Sequence, residues 1–342
     1  MKIIISLDAA GVRGLMTLTV LNYLERRIQD IQGDSRIRLA NLVDFAAGTA
    51  TGSTFLSLMF LPSENKSPWA KLDLKDISDI AMEIYDVFFY NDFKHKLKTW
   101  WGLKGPLYPM TKIDEVFLRY YDHHKMSQLI KPLIITGYDI SKREVLLYSN
   151  LKNSLYRDYY VKDIAKAALS TPGSMEPGYF KEGLDENVVI QGGLFAGNPS
   201  MIALTEAHKE GIIDEGNLKD VFFLSFGGGK DHKLKKKYPY EEAKKWGPVQ
   251  WLFPILDIVQ SASQETSEKQ IRSLFESQKC LENYHRIDPE VILGNGYSMS
   301  PDKDNVVNVI KDGIKYIEDN KVYLEQLANK ICRLKYLIRV DD

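Results

Sequence analysis

The chain has 342 residues, 44% of them hydrophobic, with a net charge of −1 and a pI near 6.6. That length and apolar content can bury a large core, and the near-neutral balance excludes sequence-independent affinity for nucleic acid. Two cysteines, Cys280 and Cys332, are too few for a disulfide framework and suit a reducing compartment, and the longest apolar stretch, 55–61, falls far short of the roughly 20 residues that span a bilayer.

Strand-like and helix-like segments alternate from the start. Lys2–Leu7 is β-branched and apolar, is ended by Asp8, and is followed by no small-residue cleavage site. It reads as a strand rather than a signal peptide, so the expected location is the cytoplasm, with membranes touched only peripherally. Leu15, Leu18, Leu21 and Ile28 recur at helical spacing, and a strand at 43–47 then leads into a helix beginning near Gly52. Residues from about 63 to 110 read as a helical insertion placed where a lid could cover a site. Its Trp69, Phe88, Phe89, Trp100 and Trp101 suit packing on the core or a membrane interface. Further strands are expected at 133–138, 145–149, 188–190 and Val221–Phe226, and helices at Val161–Leu169 and 199–210. A lysine-rich loop, 230–245, reads as a solvated face or a contact for anionic head groups. The C-terminal portion, about 246–342, is expected to be helical over about 251–281 and 305–334. This βαβα rhythm predicts one α/β domain over 1–342, a mostly parallel sheet with helices on both faces.

Three loops after strands carry the chemistry. Asp8-Ala9-Ala10-Gly11-Val12-Arg13-Gly14 opens a helix with small residues, so its backbone N–H groups can hold a phosphate or a developing oxyanion. An ordinary tight turn explains it as well. A nucleotide loop is the weaker reading, since G-x-G-x-x-G has lost two glycines and no acidic residue follows at the next strand end. Gly48-Thr49-Ala50-Thr51-Gly52 has the spacing of a G-x-S-x-G elbow, with an inert methyl where the nucleophile would stand. Gln191-Gly192-Gly193 follows a strand at the place where a carboxylate could serve as general base, which a glutamine amide cannot do.

In this order the segments resemble those of the patatin-like phospholipases, whose pattern is D-G-G-G-x-R-G, then G-x-S-x-G, then D-G-G/A with a short N-P turn. The resemblance runs from Lys2 to about Gly229. Ala167-Ala168-Leu169-Ser170-Thr171-Pro172 with Tyr179-Phe180 fits a fourth segment, and Leu224-Ser225-Phe226-Gly227-Gly228-Gly229 a fifth. The resemblance implies a three-layer α/β/α patatin-like fold, a serine–aspartate dyad that needs no metal or other cofactor, and a lipid or acyl ester as ligand. It places Ala50 at the nucleophile position and Gln191 at the base position. Ala9, Ala10, Gly11, Val12, Arg13 and Gly14 fall in the oxyanion loop, Gly48, Thr49, Thr51 and Gly52 in the elbow, and Gly192 and Gly193 in the base loop.

The departures cluster at this site: Ala50, Gln191, Ala9 and Ala10, with Gly197 and Gly228 in place of Asn and Thr. They fit a natural relative that has lost hydrolysis or a deliberately disabled chain. Losing nucleophile or base costs on the order of a millionfold in turnover, and each oxyanion donor displaced about a hundredfold more. The expectation is therefore an inactive scaffold that still binds lipid. Alanines at 9 and 10 are expected to strain a loop that needs φ > 0. The rivals are a hydrolase using a displaced hydroxyl (Thr49, Thr51 or Ser53) and a non-enzymatic binding or regulatory module. His95, His123, His124, His208, His232 and His285 lie outside the motif loops, are expected at the surface, and show no metal-ligand spacing. Strand one, the elbow strand and the strand before Gln191 are expected to be sheet neighbours.

Overall fold

The computed structural model describes residues 1–64, 67–89, 105–108, 110–182, 185–230, 238–294 and 303–335. Trp100, Trp101, His95, His232 and the lysines at 233–237 lie outside them, and so do residues 65, 66, 90–104 and 109 of the expected lid. Among the described residues, no helix is long and apolar enough to cross a membrane.

In chain order the strands are β1 (Lys2–Leu7), β2 (Phe45–Gly48), β3 (Leu133–Asp139), β4 (Glu144–Ser149), β5 (Gly178–Glu182), β6 (Asp185–Gln191), β7 (Val221–Phe226) and β8 (Tyr284–Ile287). The helices are α1 (Gly14–Gln32), α2 (Leu39–Leu42), α3 (Thr51–Met59), α4 (Leu74–Phe89), α5 (Thr111–Tyr121), α6 (Val161–Leu169), α7 (Ser200–Lys209), α8 (Tyr240–Ala243), α9 (Pro248–Ser277), α10 (Lys303–Asp319) and α11 (Lys321–Lys335). Side-chain alternation along β1 sorts them into layers. Ile3, Ile5 and Leu7 face a core built with α1, α3, α4, α5, α6, α10 and α11. Ile4 faces a smaller core with Ala203, Leu204 and Ala207 of α7 and Ile271 and Phe275 of α9. The result is a sheet between two helical layers, a three-layer α/β/α fold.

β1 pairs in parallel with β2 and β7, β2 with β3, and β7 with β8, while β4, β5 and β6 are antiparallel additions. The expected neighbourhood of β6 is corrected here. β6 pairs with β3, not with β2 or β1. A strand has two edges, and β4 takes one edge of β3 along Ile134–Asp139. The other edge is shared end to end: β2 covers 133–135, and β6 covers 137–139 running the opposite way. β6 therefore arrives head-on to the end of β2, and its last residue, Gln191, sits opposite Gly137, two residues past the level of Gly48.

Two further differences concern the C-terminal portion. β8 was not expected, because Tyr-His-Arg-Ile carries no apolar run. The single helix expected over 305–334 is two, parted at Asn320, whose side chain donates to the Tyr316 carbonyl (2.9 Å) and ends α10. In the insertion, Ile77, Ile80, Ala81, Ile84 and Tyr85 bury α4 within the larger core, while Trp69 is exposed.

Candidate active site

The elbow is a sharp strand-to-helix turn. Ala50 has φ 51° and ψ −122°, a region that a residue with a Cβ enters only under constraint. The flanking glycines supply it. A Cβ on Gly48 would lie 2.6 Å from the backbone of Ser53, and one on Gly52 would lie 2.4 Å from the Leu7 carbonyl oxygen. The turn thus aims residue 50 away from β2 and beside the loop that follows β1.

That first loop is stitched to its neighbours. The Ala9 N–H donates to the Gly197 carbonyl (2.9 Å) and the Ala10 N–H to Thr51 Oγ1 (3.3 Å). Gly11 alone in the loop has positive φ (54°), and Ala10 sits at φ −126°. The expected strain at Ala9 and Ala10 is therefore not found: neither alanine occupies the left-handed region. Gly11–Arg13 form one 3-10 turn before α1, so its leading N–H groups, at Gly11 and Val12, have no intrahelical acceptor. That is the arrangement that receives an oxyanion. Tyr85 of α4 donates its hydroxyl to the Gly11 carbonyl at 2.6 Å and fixes this peptide from below.

The third loop closes on the other two. Gln191 is 6% exposed and its Oε1 accepts the Gly193 N–H at 2.6 Å. Gly192 must lack a side chain, since a Cβ there would lie 2.3 Å from Thr136 Oγ1. Thr49 Oγ1 donates to the Ala196 carbonyl (2.7 Å), so the 2.8 Å contact between Thr49 and Thr136 is donated by Thr136. Ala50 and Gln191 are thereby delivered to one seam, the junction of β2, β6 and the loop after β1.

The displaced hydroxyls are engaged elsewhere. Ser53 Oγ donates to the Ala50 carbonyl (2.6 Å), Thr51 Oγ1 accepts from Ala10, and Thr49 holds Ala196. Among the described residues no group of three metal-binding side chains gathers.

Sequence reasoning missed a polar layer beneath the site. Asp8, 3% exposed, is held by both guanidinium nitrogens of Arg286 (3.1 and 2.7 Å), which also donate to Ser225 Oγ (2.8 Å) and Asp288 (3.2 Å). Burial pushes the Asp8 carboxyl up to about 7 against the pull of Arg286. Ser225 continues to Ser200 (2.9 Å) and Ser200 to Ser6 (2.8 Å). A carboxylate at a buried strand end requires a cation, but nothing in the sequence singles out Arg286 from the other arginines. Two α9 residues were also missed: Ser263 Oγ donates to the Phe195 carbonyl (2.8 Å), and Gln264 Nε2 donates to the Ala9 carbonyl (3.3 Å).

Two glycines at the site leave no room for a side chain. A Cβ at Gly228 would lie 2.5 Å from the Ala10 methyl, and one at Gly197 would lie 2.8 Å from Gln264 Cγ. The Ala10 methyl occupies the space that a side chain at 228 would need.

Comparison with known proteins was made against this geometry. The sequence model of the patatin-like phospholipase family matches residues 5–204. Over 314 residues the chain is 26% identical to Patatin-2-Kuras 3 and 25% identical to Patatin group M-1, both from Solanum tuberosum, with 87% of this chain and 79% of each relative covered. A crystal structure of VipD from Legionella pneumophila aligns with 96% of this chain and 67% of that one, at 14% identity and a TM-score of 0.45.

Proposed function

This chain belongs to the patatin-like phospholipase family, and from that premise we propose that it is a lipid acyl hydrolase scaffold that binds an acyl ester, such as a glycerophospholipid, without cleaving it. The observation that carries the reading is the pairing of an intact elbow with an inert residue. The backbone at position 50 keeps the strained conformation that presents a nucleophile, yet its side chain is a methyl. The residue facing that seam from β6 is an amide that accepts a hydrogen bond but does not take a proton at neutral pH. The nearby hydroxyls serve as backbone ties, which supports inactivity over a displaced nucleophile.

Restoration tests it. Ala50→Ser alone is expected to give near-background hydrolysis of short p-nitrophenyl esters, and Gln191→Asp alone none. The pair together is expected to give turnover far above the sum of the single changes, because nucleophile and base act as one unit. Ala10→Gly on top of the pair is expected to add nothing, since the Ala10 N–H already donates to Thr51 and its methyl packs against Gly228. Equal activity in Ala50→Ser and in the pair would remove position 191 from the base role. Only background hydrolysis from a folded double variant would overturn the hydrolase reading.

A further inference from the structure

The first half of α9 reverses the usual order of a surface helix. Its protein-facing side carries Gln260, Ser263, Gln264 and Ile271, which meet the site loops and the smaller core. At about 100° per residue, the opposite side carries Trp251, Ile255, Ile258 and Val259. They are spaced i, i+4, i+7, i+8, and each is between 39% and 47% exposed. An outer helix face is ordinarily charged, and further along this same face it is: Glu265 pairs with Lys269, and Arg272 with Glu268 beside it. The apolar stripe is thus confined to the N-terminal turns of the helix, ahead of the residues bonded to the site loops. Val249 is 79% exposed at its start, and Trp246 packs edge-on between Tyr238 and Trp251, with ring centroids 5.0 Å from each.

We propose that this stripe is a docking surface for a bilayer carrying anionic phospholipids. Aliphatic side chains on one face of a helix seat at the acyl boundary, and Trp and Tyr rings settle at head-group depth. The charge agrees: the sixteen residues leading into the helix, 230–245, hold seven lysines against three acidic residues in a chain whose net charge is −1. Such a basic run favours an anionic surface. The next turns of α9 are bonded to the loops of Ala9, Phe195 and Gly197, so a docked helix brings the site loops up beside the lipid. The proposal concerns the bilayer surface and stands whether or not the site binds an acyl chain.

Flotation of the full chain with phosphatidylcholine vesicles, with and without equimolar phosphatidylglycerol, tests it. The expected result is binding to the anionic vesicles at moderate salt, weakened at least tenfold in the double variant Ile255→Asp/Val259→Asp. Lys244→Glu/Lys245→Glu is expected to weaken binding to anionic vesicles only. Leu155→Asp, at an 88% exposed leucine on another part of the surface, is the control and should bind as the unaltered chain does. Unchanged melting temperatures would confirm folding, which exposed positions should permit. The proposal is overturned if the unaltered chain fails to float, or if Ile255→Asp/Val259→Asp floats equally well. It is also overturned if light scattering shows a dimer that this double variant dissociates, since the stripe then serves a second copy. Calorimetry with lysophosphatidylcholine below its micelle concentration reports on the acyl site separately, so the two readings fail independently.

Discussion

Ala50 holds a backbone conformation that glycine adopts freely and alanine does not. Strain of this kind is worth roughly 1–3 kcal/mol, while replacing alanine by glycine adds about 0.4–1 kcal/mol of unfolded-state entropy. Ala50→Gly is therefore expected to raise stability by about 1 kcal/mol, read from the urea midpoint at constant slope. Gly52→Ala should do the reverse, by about 3 kcal/mol, because its new methyl meets rigid β1 backbone at 2.4 Å rather than a movable side chain. These residues were legible in advance, since the glycine spacing of an elbow is a local property of the chain. The ordinary φ of Ala10 was not, because the space that admits its methyl is made by Gly228, far along the sequence.

β8, like β5 and α5, is an element that sequence patterning did not find, and its residues do much of the holding. His285 lies partly buried on it, Nδ1 3.0 Å from Tyr323 Oη and its ring beside Phe222, rather than at the surface as expected. Burial, helped by the nearby Lys330 charge, lowers its pKa from 6.5 to about 4. A folded pKa below the unfolded one means that folding favours the neutral ring. The associated stability is complete above pH 6.5 and is lost as pH falls from there to about 4. His285→Phe should flatten that part of the acid limb: the stability difference between the two proteins is constant above pH 6.5 and changes by up to about 3 kcal/mol on acidification, measured by denaturant titration across pH. The apolar strands β1 and β7 were readable because burial on both faces leaves continuous hydrophobic runs. β8 alternates differently, with His285 and Arg286 serving polar partners, and short edge strands of this kind carry no periodic signal. The direction of β6 was equally hidden, since antiparallel pairing on the overhang of β3 depends on strand lengths set elsewhere.

For the molecule as a whole, the site rests on the tie between its first loop and its last strand. Arg286→Met is expected to destabilise the protein most at alkaline pH, by up to about 3–5 kcal/mol, where the Asp8 carboxylate is left buried and unpaired. Without its cation the carboxyl would titrate above 7, so the deficit should shrink as the pH falls toward 7 and Asp8 takes up a proton, and should level off below it. Asp8→Asn in the same chain should recover part of the loss at alkaline pH. A deficit that does not vary with pH would show that the arginine acts by packing alone.

The same contact joins residues 278 positions apart, and this sets when the site can form. Closing so long a loop is entropically late, and contacts of high sequence separation slow folding. On a ribosome adding about 5–20 residues per second, the loop after β1 waits tens of seconds for the strand that neutralises it. Until then Asp8 is best left solvated, and the elbow's glycines have no finished β1 end to close upon. The loop after β1 is therefore among the last parts of the site to take its final shape, long after its own residues are made.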